Sequence, residues 1–341
     1  MGTATQITDF SDLVRDLQNR VREATGVAAT ENQAKRYINI ALHDMHIGFA
    51  ENFPWAERSA ILRTHPQYTD GTVTISQGGV SITGTGTLWN TLNDFLEANI
   101  REGGKMTFSG GLDVYEVGSR SGELDTSAVL TSRYISPDLT DGNYVYFEDE
   151  YDLASDFLRP IDQQQFSDAI PIDLISRSDF RRNYPVNGVP GHPKIATIID
   201  KGFGSDTTPI RKIRFHPPPV DSFNIPYSYV TSNLAVTSSG TEQTQLVNDD
   251  DEPIVPLRYR HVIVFHALYH WYRDKKNDQR SAEVKSEYNE VLARIAEDRE
   301  IGGKHASIRP RKGAYVRRAK RPWARGSMRY DINGKFDRME I

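Results

Sequence analysis

Cysteine is absent from the 341 residues. Disulfide scaffolds, thiolate metal sites and cysteine nucleophiles are therefore excluded, and a reducing compartment is compatible with the sequence. No apolar run reaches the ~20 residues that a membrane-spanning helix needs. The most apolar stretch, Pro256–Arg273, is interrupted by Arg258, Arg260 and three histidines. The first ten residues lack the apolar core of a secretory signal. Met1 and Gly2 fit the start of a myristoylation motif, but Gln6 stands where that motif wants Ser or Thr. Catalytic signatures are equally scarce. No P-loop, GxSxG elbow or dinucleotide GxGxxG follows a strand pattern, and Gly84 and Gly86 lie between β segments. Nothing singles out a pair of carboxylates for glycoside cleavage. The expectation is a protein with no catalytic, cofactor-binding or metal-binding residues.

What is present is a separation of charge. The net charge is −5, yet residues 302–341 carry 12 Lys+Arg against 3 Asp+Glu, while the preceding residues carry 29 against 43. An acidic body with a basic tail implies that the tail meets something the body does not. The tail interleaves Arg309, Arg311, Lys312, Arg317, Arg318, Lys320, Arg321 and Arg325 with Tyr315 and Trp323. With little apolar periodicity it is expected to be extended or disordered until a partner orders it. It can neutralise and stack on nucleic acid, or dock on a protein with its aromatics as anchors.

The apolar spacing predicts a helix over about residues 9–25, stopped at Gly26. A second starts at Thr30, where Thr30 and Gln33 form a capping box, and ends at Phe53-Pro54. From about 57 to 150 the period is two and Gly, Thr and Ser are dense. Gly71–Ser76 and Val80–Gly86 read as a hairpin about Gly78 and Gly79. Further strands are expected at 105–108, 113–119, 128–132 and 144–148, which suggests a small inserted barrel or sandwich. Residues 151–256 read as irregular β and loop, with strands at 195–199, 210–215 and 227–230 and a helical turn at 178–182. The acidic run 248–252 reads as a solvated loop that fits no EF-hand spacing.

Pro256–Arg273 then reads as a helix with Pro256 at its first position. It is apolar nearly all round, so it must be covered nearly all round. One face suits the chain's own helices. The other, with Val264, Phe265, Leu268, Trp271 and Tyr272, suits a second layer, either the β-rich middle or another copy of the chain. His266 and His270 share one face at i, i+4, which is half of a zinc-protease helix, but Ala267 replaces the general base. His43 and His46 can complete a metal site if the helices meet. The competing reading is of core histidines using one nitrogen each, and the missing base favours it. A last helix carries Tyr288, Leu292 and Ile295 and is expected to end at Gly302-Gly303. The plan is α+β: a helical body made of residues 1–56 and 257–301, an inserted β domain at 57–150, an irregular region at 151–256, and the basic tail at 302–341.

The order of these parts resembles the head–tail adaptor (connector, or neck) proteins of tailed double-stranded-DNA bacteriophages. Gly71–Ser76 followed by Val80–Trp89 resembles a β module recurrent in phage neck and tail proteins. Asp149–Pro160 resembles the exit from that module. Pro253–Pro256, the aromatic helix and Tyr288–Leu292 resemble the closing helix pair. The resemblance spans about residues 10–300. It implies a non-enzymatic virion protein, assembled in the host cytoplasm into a twelve-fold ring below the portal protein. Such a ring extends the channel through which genomic DNA slides without sequence-specific binding. It also offers a platform to the tail tube, stopper or nozzle protein, without any membrane role. The basic segment Arg309–Arg325 would dock on the portal, and Val264, Phe265, Leu268, Trp271 and Tyr272 would meet a neighbouring subunit. The alternatives are a nucleic-acid-binding protein acting through its tail, a receptor- or glycan-binding tail component using Trp89, and a zinc hydrolase.

Overall fold

The N-terminal apolar stripe forms the helix its spacing predicts, in a computed structural model that describes residues 6–21, 28–48, 53–93, 96–109, 113–119, 125–185, 188–203, 209–306, 328–330 and 336–338. The chain divides into two compact units, Met1–Met45 with Pro256–Ile341, and His46–Val255.

In the first unit, α1 spans Phe10–Val21 and buries Phe10, Leu13, Val14 and Leu17. The Asp9 carboxylate accepts the Asp12 amide at 2.9 Å and caps it. Helix α2 spans Ala28–Gly48. It starts two residues before Thr30, so Thr30 is inside the first turn rather than at the cap. Gln33 turns away from that end and donates to the Tyr37 hydroxyl and the Asp274 carboxylate, each at 3.4 Å.

In the second unit lie β1 (Glu57–Arg63), β2 (Thr72–Ile75), β3 (Ser81–Thr85), β4 (Lys105–Phe108), β5 (Val114–Ser119), β6 (Ser127–Leu130), β7 (Leu139–Gly142) and β8 (Tyr144–Phe147). Strands β2 to β8 make one seven-stranded sheet in the order β7-β2-β3-β6-β5-β4-β8. The expected hairpin is β2–β3, with Thr72 opposite Thr85. Gly71, at φ 81°, admits no side chain there, because a Cβ would meet the Thr85 carbonyl oxygen at 2.5 Å. Alternate residues such as Val73, Ile75, Ile82, Met106 and Val117 point into one core around the fully buried Trp89. The sheet curls but does not close into the expected barrel. The outer edge of β8 is taken instead by Tyr68, whose backbone exchanges hydrogen bonds of 2.9 and 2.8 Å with Tyr146.

The irregular region is more regular than its sequence suggests. It holds β9 (Glu150–Asp152), β10 (Phe157–Pro160), β11 (Asp173–Leu174), α3 (Arg177–Asn183), β12 (Ile195–Phe203), β13 (Pro209–His216) and β14 (Asn224–Thr231). Strand β1 pairs along its full length with β14, in the order β1-β14-β10, so it leaves the sheet of its sequence neighbours. The other sheet runs β11-β12-β13-β9. Phe157, Phe166, Phe215 and Tyr227 fill a second core. Three two-residue strands, β15 (Ala235–Val236), β16 (Glu242–Gln243) and β17 (Glu252–Pro253), close the unit.

The chain then returns to the first unit. Pro256 precedes a 3-10 turn at Leu257–Tyr259, and α4 spans His261–Asp274, so Pro256 is outside the helix proper. Helix α5 spans Asp278–Ala306 and continues through Gly302-Gly303. Glycine weakens a helix by about 1 kcal/mol but ends it only when it turns left-handed. Two three-residue strands, β18 (Met328–Tyr330) and β19 (Phe336–Arg338), pair antiparallel inside the stretch expected to be unstructured. The mixed α+β class holds, with five α-helices among the described residues.

Candidate functional site

Helix α4 is the densest concentration of predicted site residues. From His261 to Tyr272 no residue is exposed, as an all-round apolar helix requires. It packs on α1 and α5, and Trp271 meets Tyr37 of α2 edge-on at 5.6 Å. Of the five residues expected at a subunit contact, Val264, Leu268 and Trp271 are buried by the chain itself. Phe265 and Tyr272 are half-buried, with Arg20 4.9 Å above the first ring and Arg280 5.9 Å above the second. The tail residues Arg309, Arg311, Lys312, Tyr315, Arg317, Arg318, Lys320, Arg321, Trp323 and Arg325 lie outside the described residues.

The histidines separate into two groups. His46 is buried and its Nε2 donates to the Thr231 carbonyl at 2.7 Å, so it is a satisfied core histidine. His43 is exposed. Neither joins His266 and His270. Their companion is Asp44 of α2, whose Oδ2 lies 3.5 Å from His266 Nε2 and 3.0 Å from His270 Nε2. In the sequence Asp44 has no ligand spacing of its own and stands beside the more conspicuous imidazoles His43 and His46. The signal was one position from His43, on the turn that faces α4. Burial lowers the pKa of both histidines, and the neighbouring His270 adds to this at His266, while Asp44 opposes it. The Tyr288 ring of α5 lies tilted beside His266, with centroids 4.3 Å apart, and burial, with the Asp44 charge, pushes its hydroxyl pKa up.

The acidic run is the exposed loop its sequence suggests at Asn248, Asp249, Asp250 and Glu252, with one residue turned inward. Asp249 and Asp250 are exposed, but Asp251 is fully buried. Its Oδ2 accepts the Val247 and Asn248 amides at 2.7 Å and the Gln243 carboxamide at 2.6 Å, so it organises the loop. Burial alone would raise its pKa. The hydrogen bonds from Asn248, Val247 and Gln243 outweigh burial and hold it below the usual carboxylate range. An unfolded Asp titrates near about 3.9. The stabilisation is therefore full above that pH and is lost as pH falls through the lower folded value. Urea titrations between pH 7 and 3 are expected to show a steeper acid loss in the wild-type chain than in Asp251→Asn. Equal slopes would overturn this role.

Trp89 is fully buried and cannot meet a glycan, so the receptor-binding use of it is corrected: it is a core residue. A cleft of about 580 Å³ in the second unit is lined by Arg63, His65, Glu97, Arg101, Glu148 and Lys212, among others. Two of its carboxylates are paired within it: Glu97 with Arg101 at 2.9 Å and His65 at 3.0 Å, and Glu148 with Arg101 at 2.6 Å. Among the described residues no helix is long and apolar enough to cross a membrane.

No curated protein matches the chain. A family model described as SU10 adaptor protein matches residues 124–311, from just before β6 to just past α5. That span is more than half of the sequence and takes in the second core, the acidic loop, α4 and α5. The chain therefore belongs to the SU10 adaptor protein family and is a phage adaptor-type structural protein.

Proposed function

We propose that the protein is a head–tail adaptor: copies of it close into a twelve-fold ring below the portal, extend the DNA channel and present a platform to the tail tube, stopper or nozzle protein. The observation that carries this reading is the adaptor-family match over residues 124–311. The division of the chain supports it, because the β-rich unit is inserted between helices that return to one unit. In this reading catalysis plays no part. The acidic body, 43 acidic against 29 basic residues before position 302, keeps DNA phosphates from adhering as the genome passes. Phe265 and Tyr272, the half-buried members of the α4 set, contribute to the contact between neighbouring subunits. The basic segment from Arg309 to Arg325 docks on the portal.

The test is the mass of the purified chain alone and mixed with the portal of the same phage. A complex with about one adaptor per portal subunit is expected. A chain truncated after Ala306 keeps α5 whole. It is expected to fold with its helical circular dichroism signal retained and to lose portal attachment. Normal attachment by the truncated chain would remove the docking role. The competing nucleic-acid reading predicts retention on double-stranded DNA, weakening steeply with salt and abolished by the same truncation.

A further inference from the structure

The Asp44, His266 and His270 cluster has no part in the adaptor reading. One donor atom from each lies within 4.8 Å of the others, and among the described residues it is the one such group of three. We propose that these residues form a zinc site that clips α2 to α4.

The geometry carries the inference. Donors about 2.0–2.1 Å from a tetrahedral zinc stand about 3.3–3.5 Å from one another. Asp44 Oδ2 is 3.5 Å from His266 Nε2 and 3.0 Å from His270 Nε2, and with all three donors within 4.8 Å of one another, rotation of the side chains closes them on the metal. His270 Nε2 is buried and sits 3.0 Å from the Asp44 carboxylate without the alignment of a regular hydrogen bond. Buried polar atoms are rarely left so, and a cation between the two satisfies both. The i, i+4 spacing places the imidazoles one turn apart on α4, with rings 4.8 Å apart. Two imidazoles and one carboxylate suit zinc rather than calcium or magnesium, which take oxygen ligands. The Asp44 side chain is 46% exposed, so a metal enters from solvent and a water completes its shell. Ala267 occupies the place of a zinc-protease base, so the metal joins helices rather than cleaving bonds. All three residues lie in one unit, and the site is complete within a single chain.

The full-length chain, untagged and stripped with chelator, is titrated with zinc by calorimetry and with cobalt by visible absorption. One metal per chain is expected, with the intense cobalt bands of a four-coordinate site. Asp44→Ala, at an exposed position that leaves the fold intact, and His270→Gln are each expected to weaken zinc binding at least 100-fold. His43→Ala, on the neighbouring exposed position of α2, is expected to bind as wild type. Zinc is also expected to raise the melting temperature of the wild-type chain and not that of Asp44→Ala. If His270→Gln fails to fold, Asp44→Ala decides. Absence of stoichiometric metal, or wild-type affinity in Asp44→Ala, would overturn the site.

Discussion

Replacing Trp89 by alanine is expected to destabilise the seven-stranded sheet by about 3–5 kcal/mol, the range for removing a fully buried tryptophan. Trp89 has no exposed surface and stands on the connection between β3 and β4, inside the curl of the sheet. Its indole Nε1 donates to the Tyr144 hydroxyl at 2.8 Å, and that hydroxyl donates onward to the Asp70 carbonyl at 2.7 Å. Tyr144 also packs edge-on at 5.9 Å. Alanine thus leaves a cavity and strips Tyr144 of a donor. Burial pushes the Tyr144 hydroxyl pKa up, so ionisation gives it no escape from that loss. Trp89→Phe refills most of the volume without the donor, and a smaller loss of about 1–2 kcal/mol is expected. Denaturant unfolding followed by circular dichroism measures both. An alanine variant within about 0.5 kcal/mol of wild type would mean that the sheet does not close on this residue.

The elements with strong local patterns were legible in the sequence. Helix α1 follows its apolar stripe, and the β2–β3 hairpin follows its alternation and the glycines that mark its ends. What escaped the sequence depended on partners distant along the chain. Strand β1 carries no mark that sends it to β14, and the pairing of Glu57 with Val230 spans most of the unit. Barrel closure failed for a similar reason: Tyr68 occupies the edge of β8, and a single tyrosine between loops gives no strand signal. Asp251 sits in an acidic run whose composition says solvent, and Asp44 is a lone carboxylate on an exposed helix position. One of them lies under its own loop, and the other faces an imidazole pair more than two hundred residues away. Trp89 misled in the opposite direction, because an aromatic in a Gly/Thr-rich segment reads equally well as a surface platform or as a core.

Asp149→Asn is expected to cost about 3–5 kcal/mol, the penalty for breaking a buried ion pair on one side only. The Asp149 side chain is 1% exposed. Its carboxylate holds Lys105 of β4 at 2.6 Å and Arg214 of β13 at 2.8 Å, and its backbone oxygen accepts the Phe215 amide at 2.8 Å. It therefore ties the curled sheet to the four-stranded sheet, where the chain leaves β8 for β9. Asparagine keeps the shape but leaves two cations facing each other across a neutral amide. Lys105 retains Glu150 only at 3.8 Å, and the Arg214 guanidinium retains the Phe180 ring at 5.5 Å. Because the Asp149 carboxylate is buried and both cations are only partly exposed, 1 M salt is expected to leave most of the effect in place. The exposed Arg294–Glu290 pair of α5 is the control, and Glu290→Gln is expected to change stability by no more than about 0.5 kcal/mol. A double-mutant cycle with Lys105→Met separates the pair from the rest of the network. A coupling above about 1 kcal/mol is expected for groups in direct contact. Additive losses would mean that Arg214 alone fixes the carboxylate, and the joint between the sheets would then rest on β13 rather than on β4.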